Sequence, residues 1–303
     1  QIARLNPTGI YLDSGVILAD DIAGIESAVG KETALVVHTY SHKNAGCFGG
    51  TRQRKHKSVL LTFVGPEGEE REWLERWKKM WGREGLRRVL VVLNPVSGGK
   101  KARQVCDSIV KKMLAQAAIE VSVVETTHPS HAVEIGRGVE GSEYDAVVAM
   151  GGDGLFSELC NGLLSRSNDQ DAQPTPPPLG IIPVGSSNGL AASILKAAGE
   201  AVEPVSATLS LLRARTEQLD LGVVSQHGAI SGYSILSMAV GLVADIDIGA
   251  DAFRWLGTAR TDMVAVRDIM RLRYEPPHSQ GGSTLKARPP PHTQQSPPPH
   301  AEY

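Results

Sequence analysis

Three glycine-rich segments carry the chemistry this chain could perform: Asn94–Ala102 (NPVSGGKKA), Gly151–Gly154 (GGDG) and Pro183–Gly189 (PVGSSNG). Each follows an apolar run of the buried-strand type. Glycine lets backbone amides come close to an anion, and a helix that begins just after such a turn adds a favourable dipole, so each turn can hold phosphate. None has the spacing GxxxxGK followed by Ser or Thr, which excludes a P-loop. None has GxGxxG, so a dinucleotide site is not supported. Asp153 is the most informative single residue. A carboxylate inside an anion-binding turn repels phosphate unless it has work to do. It could hold Mg²⁺ against phosphate oxygens, or accept the proton of an attacking hydroxyl. The plain structural alternative is an Asx-type cap on the helix expected over Leu155–Leu164. Glu158, one turn into that helix, is expected to face the same end, with an ordinary surface carboxylate as its alternative.

The elements that must position these turns alternate between strand and helix from Leu86 onward. RRVLVVLN, IEVSVVET, DAVVAMGG and LGIIPV read as strands. KKARQVCDSIVKKML, PSHAVEIGRGVE and LFSELCNGLL read as the helices between them. Strands alternating with helices of this length imply βαβ units and a parallel sheet. Ligands of such sheets bind beyond the carboxyl ends of the strands, where all three turns would converge. After about Thr216 the text turns β-rich (QLDLGVVSQ, ISGYSILSMAVGLVADID), with one helix expected over Ala252–Arg271. This predicts the start of a second, largely β lobe.

Residues 1–85 differ. ALVVHTY (Ala34–Tyr40) and SVLLTFV (Ser58–Val64) are β-type runs separated by a Gly-rich basic loop. Glu67–Trp81 has helical spacing with Trp73, Trp77 and Trp81 on one face. That face either packs on a small sheet or forms an aromatic surface for a membrane or partner. Lys43, Arg52, Arg54, Lys55 and Lys57 have no acidic residue between them. The run is either a solvated loop or a docking patch for anionic lipid, worth about 1 kcal/mol per basic residue.

Composition limits the class. The 303 residues hold 31 Lys+Arg against 33 Asp+Glu, a net charge of −2, which argues against nucleic acid as partner. A hydrophobic content of 41% is enough for a real core. No apolar run approaches the roughly 20 residues that span a bilayer, and nothing at the N-terminus reads as a signal peptide. The chain opens on Gln1 rather than Met, which points to a fragment or a processed chain. Cys47, Cys106 and Cys160 are odd in number and widely spaced. They argue against a disulfide framework or zinc site and favour a reducing, cytoplasmic compartment. Of 18 prolines, four lie within Pro174–Pro178 and eight after Glu275. Ser165–Pro178 reads as a solvated loop and 276–303 as a disordered tail. The expected division is 1–85, 86–215, 216–275 and 276–303.

GGDGLFSE, then PVGSSNGLAAS, then AVGLVADIDIGADAFRWLGTARTD resembles the diacylglycerol, ceramide and sphingosine kinase superfamily of lipid kinases, the last segment sphingosine kinases in particular. The resemblance runs from about Arg87 to Arg273. It implies a diacylglycerol-kinase-like α/β catalytic domain with a parallel sheet, a small β-rich region before it and an incomplete β-rich, lipid-binding lobe after it. It implies ATP and Mg²⁺, a sphingoid-base substrate and peripheral contact with a membrane surface. Asp153 matches the base that deprotonates the primary hydroxyl of the lipid, within the substrate turn Gly151, Gly152 and Gly154. Asn94, Thr126 and Glu158 match nucleotide-site positions, as do Gly185, Ser186 and Ser187 in the third turn. Arg254 and Arg260 match arginines that meet ATP phosphates. Asp247 matches the residue that holds the lipid's amino group, and Asp245 would share its face on a regular strand. Val96 and Ser97 depart from the sphingosine kinase form towards the diacylglycerol and ceramide kinase form, so those kinases are the sibling alternative. The family's β lobe continues well past the position of Arg273, so a truncated, inactive membrane-docking fragment is the rival of another class.

Overall fold

A computed structural model describes residues 4–12, 15–28, 34–42, 53–63, 68–80, 86–165, 175–185, 187–237, 241–251, 253 and 259–270. The chain separates into two compact units, Gln1–Thr216 and Glu217–Tyr303. The loop expected over Ser165–Pro178 falls largely outside the described residues, and the tail over 276–303 entirely so, as does Cys47.

The first unit opens with two small antiparallel sheets. Strands β1 (Arg4–Asn6), β2 (Gly9–Leu12) and β3 (Gly15–Leu18) form one, and β4 (Ile22–Ser27), β5 (Ala34–His42) and β6 (Arg54–Thr62) the other. Helix α1 (Glu69–Met80) buries Trp77 at 4% exposure among Ile10, Ile22, Leu35 and Leu61. Trp73 packs beside it, edge-on to Phe63 at 5.9 Å. The tryptophan face therefore seals a small core, as helical spacing over a sheet requires; Trp81 lies outside the described residues.

The basic segment is corrected. Arg54, Lys55 and Lys57 belong to strand β6, not to a loop, because β5 and β6 pair in register from Ala34↔Thr62 to His42↔Arg54. Arg54 is buried, with its side chain 3% exposed. Its Nε and Nη2 bind Glu200 at 2.9 and 2.6 Å, and its Nη1 binds Asp21 at 2.7 Å. The acids that neutralise it come from elsewhere in the chain, which local sequence could not show. Lys55 and Lys57 remain exposed; Lys43 and Arg52 fall outside the described residues.

The main sheet follows: β7 (Arg88–Leu93), β8 (Glu120–Glu125), β9 (Ala146–Gly151) and β10 (Leu179–Pro183), all parallel, in the spatial order β10-β9-β7-β8. The two central strands bury almost every residue, the condition under which parallel strands read as continuous apolar runs. The first crossover runs through α2 (Ser97–Lys100), α3 (Ala102–Val105), one π-turn over Cys106–Val110 and α4 (Lys111–Gln116). The second uses α5 (His131–Gly138) and the third α6 (Asp153–Ser165). After β10 come α7 (Gly189–Ala197) and α8 (Pro204–Leu212). The chain leaves β7 to one side for β8 and returns on the other for β9. The β7/β9 boundary is thus a switch point, the place where open α/β sheets leave a crevice.

The second unit holds a hairpin, β11 (Gly222–Gln226) with β12 (Ala229–Ser234), then helices α9 (Leu242–Asp251) and α10 (Ala259–Met270). Here the strand expected through ADID is corrected to a helix. Ala, Leu and Ile in LVADIDIGAD suit a helix as well as a strand, and a short apolar run does not distinguish them by period. Asp245 and Asp247 therefore do not share a face as alternating strand residues would. Two helical positions stand about 200° apart round the axis.

Candidate functional site

The site is built where three strand ends meet. β7 ends at Leu93, and the amide of Asn94 reaches across to the Met150 carbonyl at 3.3 Å on β9. The Asn94 Oδ1 accepts from the Val96 amide at 3.1 Å, closing an Asx turn that starts the first glycine segment. Gly98 has φ of +60°, and a Cβ there would lie 2.5 Å from the Val184 carbonyl oxygen of the third turn. The second and third turns interlock more tightly. The Gly151 carbonyl accepts from both Val184 and Gly185 amides at 3.1 Å. A Cβ on Gly185 would lie 2.7 Å from Gly152 Cα, and one on Gly152 would lie 2.7 Å from the Ser187 carbonyl oxygen. These glycines are needed because backbone meets backbone with no room for a side chain.

Asp153 is the pin of this arrangement. Its amide donates to the Ser187 carbonyl at 3.1 Å. Its carboxylate accepts from the Gly189 amide at 2.7 Å through Oδ2 and from the Leu190 amide at 3.1 Å through Oδ1. A capping role is therefore real, but the capped helix is α7 rather than α6, which begins at Asp153 itself. Asn188 occupies the N-cap position of α7, yet its side chain turns back to Gly185, accepting from the Gly185 amide at 3.3 Å. The two first-turn amides of α7 are left to Asp153, which satisfies donors that the helix cannot. The sequence signal for Asn188 is its place just before an apolar helix run.

Gly154 differs from its neighbours. A Cβ there would meet nothing within 4 Å, and its φ is not in the left-handed region. Neither packing nor conformation calls for glycine, which costs about 1 kcal/mol against alanine in a helix. Among the described residues nothing fills the space above Gly154, which is exposed at the N-terminus of a 13-residue helix where an anion is favoured. Glu158, half-buried, stands at i+4 from Gly154 and so shares its side of α6; it is about 140° round the axis from Asp153.

Thr126 is brought to the same edge. Its amide donates to the Leu93 carbonyl at 2.8 Å, extending the β7–β8 ladder by one residue. Asn94, Thr126, Gly151, Gly152, Asp153, Gly154, Gly185 and Ser187 thus lie along one end of the sheet. Ser186 and Arg254 fall outside the described residues. Asp247 is placed in α9 and Arg260 in α10, both in the second unit.

Cys106 and Cys160 are free and buried, and burial pushes the Cys160 thiol up to about 11. Among the described residues no helix is long and apolar enough to cross a membrane.

Residues 88–224 match the Diacylglycerol kinase catalytic domain family. The chain is 41% identical over 187 residues to Sphingosine kinase 1 of Arabidopsis thaliana, covering 62% of this chain and 38% of that protein. It is 37% identical over 229 residues to Sphingosine kinase 2 of the same plant, covering 75% and 46%. Against human Sphingosine kinase 1 the identity is 38% over 192 residues, covering 61% and 49%. The chain spans half or less of the length of each of these curated relatives.

Proposed function

We propose that this chain, which carries a diacylglycerol kinase catalytic domain and is similar to sphingosine kinases, transfers the terminal phosphoryl group of ATP to the primary hydroxyl of a sphingoid base. The observation that carries this reading is the interlock of three glycine turns around Asp153, with unfilled space above Gly154 at the start of α6. Phosphoryl transfer needs positioning and charge stabilisation more than covalent help. With the first-turn amides of α7 taken by Asp153, the N-terminus of α6 beside Gly154 would face the phosphates. Both Asp153 oxygens are oriented by α7 amides and keep further lone pairs, so the carboxylate can accept a hydroxyl proton while fixed in place.

Asn94, Thr126, Gly185, Ser186 and Ser187 would border the nucleotide, with Glu158 on the Gly154 side of α6. Arg254 and Arg260 would meet the phosphates as charge moves to the leaving group. Asp247 would hold the ammonium group of the lipid, a charge that a diglyceride or ceramide lacks. Mg²⁺ accompanying the nucleotide would neutralise phosphate charge, with Asp153 and Glu158 the carboxylates nearest the second turn in sequence. A lipid substrate implies transient contact with a membrane surface, in a cytoplasmic setting that suits two free cysteines.

The test is transfer of labelled phosphate from ATP to sphingosine by the 303-residue chain beside its Asp153→Asn variant. Product that depends on Asp153 supports the reading. Product that persists in the variant removes the base assignment. No product from either protein would make this chain an inactive piece of a kinase. Preference for a neutral lipid over sphingosine would move the assignment to a diacylglycerol or ceramide kinase.

A further inference from the structure

We propose that His128, His131 and Glu134 form a binding site for a borderline divalent transition metal of the zinc class, separate from the magnesium that accompanies a nucleotide. One donor atom from each of the three side chains lies within 4.8 Å of the other two. Their spacing, H-x-x-H-x-x-E, spans the loop after β8 and the first turn of α5. Ser130 adopts φ of +63°, turning the chain so that the two imidazoles stack with centroids 4.5 Å apart.

The hydrogen bond of His128 sets a tautomer that favours a metal, whereas that of His131 must change to admit one. His128 Nδ1 lies 3.0 Å from the Pro129 carbonyl oxygen, which can only accept. Neutral His128 therefore carries its proton on Nδ1 and leaves the Nε2 lone pair free, 3.7 Å from Glu134 Oε2. A backbone carbonyl on the far ring nitrogen is the usual outer partner of a metal-bound histidine. His131 Nδ1 lies 3.2 Å from Thr127 Oγ1 and 3.1 Å from the Thr127 amide. The amide can only donate, so Nδ1 accepts and the His131 proton sits on Nε2; a metal on Nε2 requires that proton to move to Nδ1, where it would be donated to the Thr127 hydroxyl at the cost of the amide contact.

Two imidazoles and one carboxylate suit zinc and its neighbours, whereas magnesium prefers oxygen alone. Donors around tetrahedral zinc stand about 3.3 Å apart, from metal–ligand bonds near 2.0 Å. Donors within 4.8 Å of one another need at most about 1.5 Å of closure to reach that spacing. His128 and Glu134 are free to make it, with side chains 49% and 60% exposed. Their exposure also leaves the remaining coordination positions to water. The cysteine pattern carries no trace of this set, whose donors are two histidines and a glutamate.

Cobalt(II) is the probe, titrated into the full chain after chelator treatment and in excess magnesium, with visible ligand-field bands as readout and zinc as displacing ion. The expected result is one saturable equivalent, weakened at least about 10-fold by His128→Ala and, separately, by Glu134→Gln. Outer partners alone are worth about that much. Circular dichroism checks that both variants fold; Glu134 is exposed, so its isosteric change leaves the helix intact. Absence of saturable bands, or bands that survive both substitutions, overturns the site. The readout is binding alone, so it stands or falls independently of phosphotransfer.

Discussion

The carboxylate of Asp153 caps a helix that begins 36 residues further along the chain, 2.7 Å from the Gly189 amide nitrogen. The residue proposed as the base is therefore also the clamp between the second and third glycine turns. Asp153→Asn keeps one acceptor oxygen and turns the donor NH2 of its carboxamide towards the other backbone donor. Turnover is expected to fall at least about 100-fold, with stability lowered by about 1 kcal/mol, as for a lost helix cap. Initial rates and thermal melts on the same preparation separate the two effects.

Gly154 and Gly185 separate ligand space from packing. Gly154→Ala adds a methyl where nothing lies within 4 Å. The melting temperature is expected to hold or rise, while ATP affinity falls. Gly185→Ala drives a methyl to 2.7 Å from Gly152 Cα, and both stability and ATP affinity should fall. Equilibrium nucleotide binding beside a thermal melt reads this contrast. Unchanged ATP affinity in Gly154→Ala would remove the phosphate from the start of α6.

Acid should loosen the joint between the N-terminal strands and the α7–α8 connection. Burial alone would raise the Glu200 carboxyl, but hydrogen bonds and charge from Arg54, with Arg213 and His42, bring it from 4.5 to about 2. Folding favours the ionised form, so this contribution is complete above pH 4.5 and is lost as pH falls through about 2. Glu200→Gln leaves Arg54 buried with a weaker partner. It should cost about 3 kcal/mol at neutral pH and flatten the acid limb. Urea denaturation across pH measures both.

Asp247 should decide between a cationic and a neutral lipid head. Asp247→Asn is expected to raise the KM for sphingosine about 10-fold or more, from loss of a charge-assisted hydrogen bond, and to leave turnover of a neutral lipid unchanged. Parallel assays with both lipids read the ratio. A ratio that does not move would take the ammonium contact away from Asp247.

Much of the α/β core was legible because its signals are local. The buried runs of β7 and β9 and the glycine turns at their ends follow from apolar continuity and from residues with special backbone freedom. Helix α1 was legible for the same reason: Trp73 and Trp77 recur at helical spacing, and they pack where that spacing puts them. The ADID segment was not, because the ten residues LVADIDIGAD, mostly Ala, Val, Ile and Asp, satisfy both periods. Arg54 was misread because its partners Glu200 and Asp21 are 146 and 33 residues away.

The sequence by itself determined the parallel βαβ order, the three turns and the type of chemistry a carboxylate among glycines can do, since each depends on residues within a few positions of one another. Tertiary structure alone decided what Asp153 caps, that Gly185 must be glycine because Gly152 backs onto it, and that His128, His131 and Glu134 gather their donors. The first two depend on which strand lies beside which, and the third on the turn the chain makes at Ser130 after β8. Spacing along the chain does not contain that distance in space.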